Sequence, residues 1–468
     1  MKHVRLIIFA LSGFLIMGCQ DQLVLRDDVS LEQIATKAGA DEYTVQTNER
    51  YVFPSEKDFK AWTDIIGLEN RFKACEVPES ILQSMTTEAL VQTVLKYPLN
   101  YIAYAYNTQQ EVVDLFLEYS SLHRELVSRI DVGPALLAAV LAVNATLPHD
   151  EESQDNDLAP LINVIMAEAF LAHKPILDSF SARGLGECKA EIQRILNERL
   201  SFPEIYDTFS CMSLFNILGN NQGLSVQRSG LETTIYTPFN HSLTATIRDE
   251  EDSCVLLYYT NLYVINHPNA TMVGAATATY NGNAYAWFDE CTTNHVWLED
   301  TCGGIPQLSN YWTNDVYVSC SSPDATKVYY SNGNHSAKKI SSDRYRSKWG
   351  KGPLMEHDLD DIPYTTSGKQ YYCVRTSPLF SVYTFYGPST LPPDTMGEYM
   401  ASTYSRINNV WSAECLSSSS PTAFEFSNPY SGTYRLTCHE IGAYKLHING
   451  YYGSSLVARG EQLVVCIP

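Results

Sequence analysis

Apolar residues change their spacing twice along this chain, and the changes divide it into three parts. After Thr108, residues Val112, Leu115, Phe116, Tyr119, Leu122 and Leu126 recur at helical spacing. Thr108 reads as the N-cap of that helix, and Glu111, three residues on, completes a capping box. Gly133-Pro134 opens a second apolar run over 135–147, with Pro134 suited to a first helical turn. Pro148 and the acidic stretch 150–157 end it; the stretch lacks the Gly and the terminal Glu of an EF-hand calcium loop and reads as an interhelical loop. Further helices are predicted over 158–173 and 188–200, so residues 19–230 read as an all-α bundle.

Past about Gly230 the helical period fades. Residues 235–247 and 255–265 have a β-like composition, with Asp249-Glu250-Glu251-Asp252 as a turn between them. Residues 327–337 read as a strand, an Asn332-Gly333 turn, and a strand opening with His335. From residue 379 short strands alternate with turn clusters. Tyr434, Leu436 and Cys438 share one face, Tyr444, Leu446 and Ile448 repeat the pattern, and Leu463 and Val465 continue it. Strands at roughly ten-residue intervals predict an all-β Ig-like sandwich over 379–468, with Trp411 as its core aromatic. The expected fold class is therefore multidomain, with an α+β middle part over 231–378.

Composition narrows the function. A length of 468 residues exceeds what one hydrophobic core usually serves. A formal net charge of −21 leaves no basic stripe for phosphates, which argues against a nucleic-acid partner. No phosphate-cradling Gly-rich loop, G-x-S-x-G or H-E-x-x-H is present, and no cofactor is implied. Lys2 and Arg5 precede an apolar run over 6–17, too short for a membrane span and suited to a signal peptide. The run ends Met17-Gly18-Cys19, which resembles the bacterial lipobox. That resemblance implies a signal peptide over 1–18, lipidation of Cys19, and attachment to a membrane by lipid alone. Gln20 after the cysteine points to the outer membrane or cell surface. Export also makes disulfides expected among the other eleven cysteines, an odd number that leaves at least one unpaired within the chain. Cys415, Cys438 and Cys466 are candidate staples of the sandwich.

One stretch carries candidate chemistry. Tyr280-Asn281-Gly282-Asn283-Ala284-Tyr285-Ala286-Trp287 resembles the motif Tyr-Asn-Cys-His-x-Tyr-Ala-Trp of a set of secreted bacterial proteins, many from Bacteroidales. That motif is in turn similar to the nucleophile region of the NlpC-type and CHAP-type cell-wall peptidases and amidases. Trp297, Tyr311-Trp312, His335-Ser336-Ala337, Ser347-Lys348-Trp349-Gly350 and His357 follow in the matching order. The resemblance implies a papain-like fold for 231–378. It implies His335 as the base on a strand, and His357 as the third polar group or a loop residue.

It departs at the decisive place. Gly282 occupies the position of the nucleophilic cysteine, so no thiolate forms there, and a pseudoenzyme is expected. Such a domain would keep a cleft for a peptide, a peptidoglycan fragment or a glycan, with Trp287, Trp312 and Trp349 either lining it or in the core. The rival readings are an active cysteine peptidase or amidase using Cys291 with His335, and a purely structural surface protein. A weaker reading places a metal among His357, Asp358, Asp360, Asp361 and His335.

Overall fold

The helix expected after Thr108 forms over Gln109–Tyr119 with its capping box complete. Thr108 Oγ1 accepts from the Glu111 N–H at 3.2 Å, and Glu111 Oε2 accepts from the Thr108 N–H at 3.4 Å. The other expected helices appear as Val132–Ala142, Ala159–Leu171 and Ala182–Arg199. Glu168 and Arg199, both enclosed, form a bidentate ion pair that ties two of them together. Between the helices Pro54–Lys57 and Gln109–Tyr119 the chain also makes a 3-10 segment, Asn100–Ala105, in which every residue is buried.

The structure, a computed structural model, describes residues 47–142, 159–202, 206, 208–219, 231–291, 293, 295–380, 382–402, 404, 406–417, 420, 422–430 and 433–468. The expected signal peptide 1–18, Cys19 and the acidic stretch 150–157 lie outside them. Within them, helices fill the N-terminal half and antiparallel sheets the C-terminal half.

After residue 230 the first pair of strands, β1 (Leu231–Tyr236) and β2 (Ser242–Ile247), forms a hairpin. The β-like reading of 255–265 is overturned, because Ser253–Asn266 is a helix. Asp252, read as part of a turn, is its N-cap and accepts from the Cys254 N–H at 2.8 Å. Val255, Tyr259 and Tyr263 recur every four residues and are buried, with Tyr259 packed against Tyr104 and Tyr263 edge-on to Tyr101. Packing against the helical half outweighs the strand preference of Val, Ile and Tyr.

A seven-stranded sheet follows. Its strands are β3 (Thr271–Gly274), β6 (Tyr317–Ser319), β7 (Lys327–Tyr330), β8 (His335–Lys339), β9 (Arg344–Lys348), β10 (Leu354–Asp358) and β11 (Lys369–Val374), in the order β3-β10-β9-β8-β7-β11-β6. A small ribbon, β4 (Thr301–Cys302) with β5 (Ile305–Pro306), precedes β6. The expected strand–turn–strand over 327–337 is present as β7 and β8, joined by a 3-10 turn and Asn334 at φ 44°. Alternate residues of the sheet feed two different cores. Val328, Tyr330, Ala337, Tyr345 and Met355 pack with the helices, whereas Tyr329, Leu354 and Tyr372 pack with Trp287 and the C-terminal strands.

Among the described residues nine strands follow: β12 (Leu379–Phe380), β13 (Phe385–Tyr386), β14 (Thr390–Leu391), β15 (Met396–Ala401), β16 (Asn408–Cys415), β17 (Phe424–Tyr430), β18 (Thr433–Cys438), β19 (Gly442–Tyr452) and β20 (Ser455–Cys466). One sheet runs β12-β20-β19-β16, with β14 also on β20, and the other runs β13-β15-β18-β17. Trp411 of the first is buried and stacks on Tyr434 of the second, ring centroids 4.4 Å apart. The inward phase of β20 differs from expectation by one residue. Val464 and Cys466 are buried and Leu463 is exposed, because Val464 pairs with buried Tyr444 and Leu463 with Lys445. The described residues belong to one compact unit, and no described helix is long and apolar enough to cross a membrane.

Candidate functional site

Gly282 begins a short helical turn, and Asn281 caps it. Asn281 Oδ1 accepts from the N–H groups of Ala284 at 3.0 Å and Leu298 at 3.2 Å, and its amide donates to the Leu298 carbonyl at 2.8 Å. The turn continues as a π-type segment, Ala284–Phe288, closed by the Asp289 N–H donating to the Ala284 carbonyl. Trp287 anchors it by donating from Nε1 to Ser336 Oγ at 2.8 Å, and Ser336 Oγ donates in turn to Asn283 Oδ1 at 2.8 Å. The short helix is thus fixed to β8 one residue beyond His335.

That bond brings residues 282 and 335 together. A Cβ built on Gly282 would lie 2.5 Å from Cε1 and 2.7 Å from Nδ1 of His335, and 2.8 Å from the Lys348 carbonyl oxygen. Two of the candidate site residues, far apart in sequence, therefore meet at one point. There is no nucleophilic atom at that point, and the imidazole fills the space where one would begin.

The imidazole is enclosed. Tyr364 stacks on it with ring centroids 3.8 Å apart and planes 10° from parallel. Its Nε2 is buried without a hydrogen-bond partner. Burial, and then the neighbouring His357, push its pKa well below the usual histidine value, so it is neutral at pH 7. His357 itself sits on β10 with both nitrogens engaged, Nε2 with Ser347 Oγ at 2.8 Å and Nδ1 with the Asp358 carbonyl at 2.7 Å. It is a buried strand residue, neither a loop residue nor a hydrogen-bonded orienter of His335.

The remaining candidates fall elsewhere. Cys291 is exposed, its sulfur 3.0 Å from Thr293 Oγ1, so the structure does not bring it to the enclosed His335 as a displaced nucleophile requires. Trp287 and Trp349 are core residues, and Trp312 is half-buried against Tyr372, so none presents an open face to a groove. The carboxylates after His357 diverge. Asp358 pairs with Arg344, Asp360 with Lys369, and Asp361 with His267. Among the described residues no cluster of three ligating side chains is arranged to hold a metal.

The recess beside His335 has two walls. Gly282, Asn283, Asn334, His335 and Tyr364 form one, and Ala105, Tyr106, Asn107 and Glu111 of the helical half form the other. The space between them has room for about one water molecule. The helical wall is held by its backbone. The Lys351 N–H and the Tyr364 hydroxyl donate to the carbonyls of Tyr104 and Ala105 at 2.9 and 2.8 Å, and Trp297 Nε1 donates to Asn107 Oδ1 at 2.8 Å. Gly350, at φ 54°, lets the two backbones touch, since a Cβ there would overlap the Tyr104 and Ala105 carbonyls.

Glu111 lines the recess, and the Lys348 backbone carbonyl lies beside Gly282. Burial raises the Glu111 carboxyl to about 7 despite its bonds from the Asn107 and Thr108 N–H groups. Burial also lowers the Lys348 ammonium to about 7, its Nζ donating to the carbonyls of Thr277 at 2.8 Å and Gly350 at 2.5 Å. Lys348 stands in the Ser347–Gly350 island of the resemblance, but nothing local in the sequence shows either shift, because burial by distant segments creates both. Glu111 was legible only as a capping residue.

The arrangement can hold a neutral imidazole and a single water among polar groups, and it offers no atom for covalent attack. Comparison of the chain with known protein families, with curated proteins and with solved structures finds no match.

Proposed function

We propose that this chain is an exported lipoprotein, anchored through Cys19 at the outer membrane or cell surface, whose papain-like middle part is a pseudoenzyme. It works as an interaction or display protein rather than as a hydrolase. The observation that carries the reading is that the ring of His335 occupies the place a Cβ on Gly282 would take. A helix start facing a strand histidine is the frame a papain-like cysteine hydrolase needs, and here its nucleophile is missing.

Two further observations support it. The recess, faced by Ala105 to Asn107, has room for about one water, so a peptide, peptidoglycan or glycan partner belongs on the outer surface rather than beside His335. The orders β13-β15-β18-β17 and β14-β20-β19-β16 correspond to the A-B-E-D and A′-G-F-C sheets of an Ig-like sandwich, a common display module.

The test is hydrolysis of peptide and muropeptide amide bonds by the purified chain, beside His335→Ala and Cys291→Ser variants. No turnover above the uncatalysed rate is expected for any of the three. Turnover by the parent that either variant abolishes would show an active enzyme and sink the reading.

A further inference from the structure

Two pairs of cysteines, each pair drawn from strands distant in sequence, meet in the fold, and no disulfide joins any described cysteine. The first pair is Cys320 and Cys373. In the ladder between β6 and β11, Ser319 pairs with Tyr372 and Val318 with Cys373, and the Cys320 N–H donates to the Tyr371 carbonyl at 3.0 Å. Cys320 therefore extends β6 opposite Tyr371 and lies diagonal to Cys373 on the same face of the sheet. The two thiols are near enough to interact electrostatically.

The second pair joins two sheets. Cys438 ends β18 and Cys466 ends β20, strands of the two facing C-terminal sheets, and both side chains are fully enclosed between them. These two thiols also interact electrostatically.

We propose that Cys320 with Cys373 and Cys438 with Cys466 are disulfide sites, filled while the chain folds by an oxidant of the disulfide class such as glutathione disulfide or a thiol–disulfide oxidoreductase. The step balances simply. One thiolate attacks the oxidant's sulfur and releases one glutathione thiolate, giving a mixed disulfide; the second thiolate displaces the other glutathione. Each pair loses two protons and two electrons, and one glutathione disulfide becomes two glutathiones.

Folding is the moment for this chemistry because the finished fold opposes it. Burial first, and then the partner thiol, push Cys320 and Cys438 up to about 12, against an ordinary value of 9.0. The thiolate of each is then scarcer at neutral pH, and its attack slows accordingly. The first bond staples the edge strand β6 to β11, and the second clamps the two C-terminal sheets together at one end.

The proposal leans on export only for the compartment that supplies the oxidant. The full chain is reduced, unfolded, refolded in a mixture of glutathione and glutathione disulfide, alkylated and digested without reduction. Expected are two linked peptides, one joining Cys320 to Cys373 and one joining Cys438 to Cys466. Recovery of these residues as alkylated thiols or glutathione adducts would overturn the proposal, as would a bond from Cys438 to Cys415, which also lies close to it.

A second arm avoids refolding. The folded, reduced chain is held with glutathione disulfide at pH 9; the same two links are expected to form slowly, and their absence counts against the sites. Oxidised chain should melt ~5 °C above reduced chain. A Cys438→Ser/Cys466→Ser double variant should lose part of that difference, and an undiminished difference excludes the second pair. If the links form in both arms while chain taken from its own cells is fully reduced, the sites stand and export fails.

Discussion

His335 stands where a side chain on residue 282 would go, its Nδ1 2.7 Å from the place of the missing Cβ. A cysteine peptidase needs a sulfur there with the imidazole at hydrogen-bond distance beyond it. Here even the first carbon has no room. Gly282→Ala is therefore expected to overpack the site and cost about 1–3 kcal/mol, read as a lower denaturant midpoint. An alanine accepted without loss would mean that the ring swings aside freely. Gly282→Cys with Asn283→His should regain amide hydrolysis only if it does.

Four histidines make the fold sensitive to acid. Burial holds His123 at about 3 and His267 and His357 at about 4, and holds His335 well below its usual value. Below the unfolded value of about 6.5 the unfolded chain binds protons that the folded chain refuses, so stability falls as pH falls from there toward 4. Each histidine contributes up to about 1.4 kcal/mol per pH unit in that window. Glu111 acts the other way between about 4.5 and 7, because its raised carboxyl favours the folded state at the acid end of that range. The urea midpoint measured from pH 7 to 4 should fall, and His335→Leu should make the fall shallower.

Trp287 distinguishes a groove from a core. It is buried, donates to Ser336, and packs against the rings of Tyr311, Trp312, Tyr317 and Tyr372. Trp287→Ala should cost about 3–5 kcal/mol of stability. A variant that kept its stability and lost retention on cell-wall material would restore the ligand-lining role.

Tyr364 closes the recess from the sheet side while bonding to the Ala105 carbonyl of the other wall. Tyr364→Ala should expose His335, raising its rate of modification by diethyl pyrocarbonate about tenfold or more, while the same reagent leaves His335 of the parent largely unmodified.

Local chemistry was the legible part of this molecule. The Thr108 and Glu111 capping box needs only three residues of spacing, and the β7 turn β8 unit announces itself through Asn332-Gly333. The meeting of Gly282 and His335 was legible through the order of islands around them. Long-range packing was not. The helix Ser253–Asn266 is written in residues that favour strands, and packing against distant residues of the helical half, Tyr101 and Tyr104 among them, makes it a helix. The phase of β20 depends on which residue faces Tyr444, which no alternation within β20 alone decides. The closed recess likewise depends on Ala105 reaching Tyr364.

The seven-stranded sheet shares one core with the helices before it and another with the strands after it. A break at residue 230 or 378, where composition changes, would therefore split a shared interior rather than free a part. Residues 231–378 made alone should be insoluble, which expression of that segment beside the whole chain would show. In evolutionary terms, recombination at those seams would yield halves that each lack a layer. The stretch from the first helices to the last strand is thus expected to be inherited as one block, even though its composition is that of three.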